Sequence, residues 1–124
     1  MQTYLTVAVA GVLGCWLRLF LGNFIPTFAG RAFPWATLTI NILGSFLMGF
    51  LFVATAERFA LSQPLRVGIL TGFLGGFTTF SAFSMEILLL VQGGEAAKGA
   101  IYAVTSVAFG FIACFIGALI ARAI

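Results

Sequence analysis

Apolar residues fall into four long stretches, and each break between them is short and rich in polar residues, proline or glycine. The first stretch, residues 4–25, is interrupted by Arg18 and stopped by Pro26, with Gly30, Arg31 and Pro34 following. The second, 35–56, ends at Glu57-Arg58, and Ser62-Gln63-Pro64 leads onward. The third, 65–91, closes before Gly93-Gly94-Glu95, and the fourth occupies 99–121. Each has the about 20 residues that a helix needs to cross a bilayer core of roughly 30 Å. Unpaired backbone groups are so costly in hydrocarbon that spans must be helices or closed barrels, and long runs without strict alternation select helices. The pattern predicts an all-α integral membrane bundle of four transmembrane helices, a single domain over residues 1–124 with no room for a soluble one. No Lys or Arg precedes Arg18, and the first stretch outruns a signal peptide's apolar core, so it reads as a retained span.

Small residues recur at the spacing that lets helices approach in lipid. Gly68, Gly72 and Gly76 form a doubled GxxxG, with similar ladders at Ala10, Gly14 and Gly22 and at Ala113, Gly117 and Ala121. They predict a tightly crossed, oligomerising bundle. The third stretch also carries Gly75-Gly76-Phe77-Thr78-Thr79-Phe80-Ser81-Ala82-Phe83-Ser84. On a continuous helix Phe77, Phe80 and Phe83 share a stripe, beside a second stripe of Thr78, Ser81 and Ser84. Two readings stand: a continuous helix whose hydroxyls bond back to carbonyls, or a local unwinding near the midplane that turns carbonyls inward and offers a hard cation a site. Phenylalanine edges are electropositive and can draw an anion along a narrow path without holding it as a lysine would. The same stripe also suits plain core packing. The second stretch adds Thr37, Asn41 and Ser45 at i, i+4 and i+8; the Asn41 amide offers two donors, either to an anion or to a neighbouring helix.

Composition narrows the function. The chain is 62% hydrophobic and 7% charged, with a net charge of +3, far from the soluble average of roughly 25% charged. Its six basic residues are scattered singly, so nucleic acid is not a partner. The absence of His, with only Cys15 and Cys114, removes ordinary zinc sites and most nucleophile–base pairs, so an enzyme is not expected. Arg58, Arg66 and Arg122 would face one side of the membrane and Arg31 and Lys98 the other, with Arg18 joining the latter if it snorkels. So near a tie predicts insertion in both orientations, unless one charge suffices to fix a single one.

Taken together, Gly14-Cys15-Trp16-Leu17-Arg18, Thr39-Ile40-Asn41 with Gly44, and above all the block from Thr71 to Glu86 resemble the Fluc (CrcB) fluoride channels over nearly the whole chain. The resemblance implies an antiparallel homodimer with two fluoride pores in the plasma membrane of a prokaryote, the inner membrane if the cell is Gram-negative. It would export cytoplasmic fluoride passively down the electrochemical gradient and confer fluoride resistance. By the same resemblance Asn41, Phe80 and Phe83 would line the pores, Ser81 and Ser84 would form a polar track, and the backbone carbonyls of Gly75 and Thr78 would hold a structural Na+ at the dimer centre. Arg18 would be structural or vestibular. The family's hydroxyls on helix four are replaced here by Gly110 to Cys114, which leaves Thr105 and Ser106 as candidates, and Ala82 stands where a hydroxyl is common. Glu86 and Tyr102 carry no assigned role.

Two rival readings differ in class. A small proton-coupled multidrug transporter shares the four short helices and weak charge bias, but it needs a midplane acid in helix one, where this chain has Arg18 and no Asp or Glu. A helical subunit of a larger assembly would conduct nothing.

Overall fold

The computed structural model describes every residue from Met1 to Ile124 and contains four helical units long and apolar enough to cross a membrane: Gln2–Ala29, Trp35–Glu57, Gln63–Gln92 and Ala96–Ala123. Pro26 does not end the first span as the sequence suggests. Ile25 keeps helical dihedrals, and Pro26 opens a further turn, Pro26–Ala29, in the position where its missing N–H costs least. Gly30 then stops the span at φ 81°. The fourth helix starts at Ala96, ahead of its apolar run, because its polar first turn is held outside: Lys98 pairs with Glu95 and donates to Ala32 O at 3.0 Å.

The third span is the irregular one. It begins as an α-helix at Gln63–Val67, widens to a π-helix over Gly68–Phe73 and returns to α over Leu74–Phe77. It then leaves helical geometry at Thr78 (φ −81°, ψ 157°) and Thr79 (φ −151°, ψ 120°) before resuming as Phe80–Gln92. The interruption falls just after the glycine pair, not on it.

Close contact is made between spans that run in the same direction. Along the first and third, Gly68 lies on Thr6, Gly72 on Val7 and Gly76 on Gly11, so the two chains climb together. Along the second and fourth, Gly49 lies on the Cys114 backbone and Gly117 on that of Phe46 and Phe50. A side chain at Gly49 would overlap the Cys114 carbonyl. These contacts give the small-residue spacing its role: backbones approach where no Cβ intervenes. Tyr102, Phe77, Ile40 and Leu74 are fully buried, whereas most large apolar residues of the first and fourth spans point outward, as lipid requires.

Candidate functional site

The interruption at Thr78–Thr79 is held by a side chain from the second span. Asn41 Nδ2 donates to Thr79 O at 2.9 Å, and Asn41 Oδ1 accepts from the Thr79 N–H at 2.8 Å. Thr79 Oγ1 in turn accepts from the Ala82 N–H at 3.1 Å and starts the next helix. From the opposite side Arg18 Nε donates to Gly76 O at 3.0 Å, while its terminal nitrogen lies 3.8 Å from Cys15 Sγ. Thr78 Oγ1 bonds back to Leu74 O at 2.9 Å. Gly75 is exposed, with nothing within 4 Å of where a Cβ would stand.

Beside this segment a side-open cavity of about 330 Å³ is lined by Asn41, Thr78, Thr79, Phe80 and Phe83, together with Ser45, Met48, Ser106 and Cys114. Ser106 Oγ is buried there without a hydrogen-bond partner. The Phe80 and Phe83 rings stand 5.5 Å apart, tilted by 48°. Phe83 is buried against Tyr102, with centroids 5.1 Å apart edge to face, whereas Phe80 is 77% exposed. No charged side chain lines the cavity.

Several site residues expected from the sequence therefore meet, and others do not. Asn41, Thr78, Phe80 and Phe83 share one cavity. Ser81 and Ser84 are exposed outside it: Ser81 Oγ lies 3.3 Å from Thr79 Oγ1, and Ser84 Oγ donates to Phe80 O at 2.9 Å. Phe77 does not continue the ring stripe. The extended residues turn it away, and it is buried and stacked on Phe73 at 6.2 Å. The Thr37, Asn41, Ser45 stripe also divides. Asn41 spends one donor on Thr79 and so has a single N–H left for an anion, while Thr37 serves a separate cluster. There Glu86 accepts from Thr37 Oγ1 and from the Tyr102 hydroxyl, both at 2.6 Å. Glu86 and Thr37 also line a cavity of about 410 Å³ at the end of the bundle where Arg31 and Glu95 stand. Met48 and Cys114 carried no sequence signal for the site; their positions follow from the parallel contact of the second and fourth spans.

The family profile described as "CrcB-like protein, Camphor Resistance (CrcB)" matches residues 5–118. The chain belongs to this family. Among the relatives of this CrcB-like protein, one from Acidithiobacillus ferrooxidans is 50% identical over 120 residues, covering 97% of this chain and 96% of its own. Others from Geobacter sulfurreducens and Rhizobium meliloti are 43% and 42% identical, with coverage of 98% or more of both chains. Each of the three is named a fluoride-specific ion channel, FluC. With four spans and bacterial relatives such as these, the CrcB-like chain is a multi-pass protein of a prokaryotic plasma membrane.

Proposed function

We propose that this chain is a fluoride-selective channel that lets cytoplasmic fluoride leave down its electrochemical gradient, and that it works as an antiparallel homodimer. The observation that carries the reading is the side-open cavity. Two phenylalanines, an amide with one N–H to spare and the partnerless Ser106 hydroxyl line it with no fixed cation, in a chain half identical to a named fluoride channel. Fluoride entering the cavity exchanges part of its hydration for the remaining Asn41 N–H, the Ser45 and Ser106 hydroxyls and the electropositive edges of Phe80 and Phe83. None of these grips as a lysine or arginine would, so the ion also leaves. Arg18 is engaged with the Gly76 carbonyl on the far side of the broken segment and acts as a structural support.

Homodimer formation is supported by what one copy leaves uncovered. An open cavity with Asn41, Thr78, Thr79 and two serines in its lining, and a Gly75 carbonyl without a donor, are costly against lipid, and a second copy is the simplest cover. The antiparallel sense is supported by the near balance of basic residues at the two ends. A structural sodium ion at the dimer centre fits the donor set: the Gly75 carbonyl has no hydrogen-bond donor, and Thr78 is turned out of helical geometry close by. These are hard neutral oxygens of the kind sodium accepts. The Gly75 and Thr78 carbonyls would hold the ion, which would supply a fixed positive charge beside the broken segment.

Purified protein in liposomes, followed with a fluoride electrode, tests the function. Fluoride efflux with chloride retained is the expected result. Drug–proton exchange would favour the transporter reading, and silence from well-folded protein would end the channel reading.

A further inference from the structure

Of the three carbonyls from Leu74 to Gly76, just ahead of the break, those of Leu74 and Gly76 have donors and that of Gly75 has none, for an identifiable reason. The Thr78 N–H still reaches Leu74 O at 2.9 Å, so helical bonding is intact up to that donor. In an unbroken helix the next donor, the Thr79 N–H, would go to Gly75 O, four residues earlier. It goes instead to Asn41 Oδ1 at 2.8 Å. The Gly76 carbonyl, whose helical donor would be the Phe80 N–H, receives Arg18 Nε in its place. Gly75 receives no replacement. The Asn41 amide also donates to Thr79 O, so a single side chain occupies both the N–H and the C=O of one residue.

We infer that Asn41 is a positioning residue: by holding both backbone groups of Thr79 it withholds the Thr79 N–H from Gly75, keeps the third span open at Thr78–Thr79 and leaves the Gly75 carbonyl free for a hard cation. The last clause rests on the sodium reading proposed above; the first two do not. The acceptor contact is the one that withholds the Thr79 N–H from Gly75, and the donor contact adds a second tie to the same residue. Asparagine supplies both, a carboxylate supplies only the acceptor, and alanine supplies neither. Asn41 thus has a part in the channel separate from its one remaining N–H in the cavity.

Solid-state NMR of labelled protein in lipid reads the conformation of Thr78 and Thr79 from their Cα and Cβ shifts. In Asn41→Ala these shifts are expected to move from extended toward helical values. In Asn41→Asp, which keeps the acceptor for the Thr79 N–H, they stay extended. Sodium binding, followed through thermal stability rather than flux, is expected to weaken by about tenfold in Asn41→Ala and not to weaken in Asn41→Asp. A residue that only touched fluoride would leave both readouts at wild-type values. Extended shifts retained in Asn41→Ala, or helical shifts in Asn41→Asp, overturn the inference. If the wild-type protein ignores sodium, the cation reading fails while the shifts still decide the hold on Thr79. Should Asn41→Ala not fold, Asn41→Ser, too short to reach both groups, replaces it in the same comparison.

Discussion

Phe80 and Phe83 sit three positions apart yet meet different surroundings, so their substitutions separate conduction from stability. Phe80 touches little within one copy, and Phe80→Ile is expected to lower fluoride flux by about tenfold or more with unchanged thermal unfolding. Phe83→Ile should cut flux similarly and, because the ring packs on Tyr102, also cost about 1–3 kcal/mol of stability. Near-normal flux in both variants would remove the ring-edge mechanism. At Glu86 both carboxylate oxygens accept hydroxyl donors. Glu86→Gln sets an amide NH2 against one of those donors and is expected to cost about 1–3 kcal/mol, read by denaturation in detergent. The sequence displayed Phe80, Phe83 and Asn41 as residue types out of place in plain packing. It could not display their partners, since Glu86 joins residues 49 and 16 positions away and Asn41 bonds to main chain 38 positions on. Main-chain groups are the same at every position, so no residue pattern marks one as a partner.

Between elements, the glycines act as contact points whose importance depends on what each one faces. Gly49→Ala would drive a methyl into the Cys114 backbone and part the second and fourth spans, at an expected cost of about 1–3 kcal/mol. Gly22→Ala, with nothing within 4 Å, should leave the melting temperature unchanged; equal effects from the two would show that span contact does not depend on these approaches. The Gly68, Gly72, Gly76 spacing was readable because neighbours four apart share a helix face. Which spans they join was not readable, because a chain that turns back at every loop gives no sign that its tightest contacts are between spans running the same way. The glycine pair likewise marked a weak stretch of the third span, but both glycines remain helical. The departure falls two residues later, where Asn41 can catch the backbone, so a tertiary contact decides a position that local propensity leaves open.

For the whole molecule, charge and closure set the expectations. One end carries Arg58, Arg66 and Arg122 with Glu57, the other Arg31 and Lys98 with Glu95. Tags at the termini are therefore expected to be reachable from both membrane faces in comparable amounts; labelling confined to one face would defeat the antiparallel pairing. Both ends are also laced across spans. Thr6 Oγ1 donates to Pro64 O at 2.7 Å, Arg66 Nε to Thr55 Oγ1 at 3.1 Å and Arg58 to Arg122 O at 2.8 Å, while Lys98 draws the far loop onto the fourth span. A carrier has to rock, with its two mouths widening in turn, and that motion would have to break these ties. If they hold, traffic is expected to run like flow through a fixed sieve, with fluoride efflux from liposomes quickening only gently as the bath is warmed.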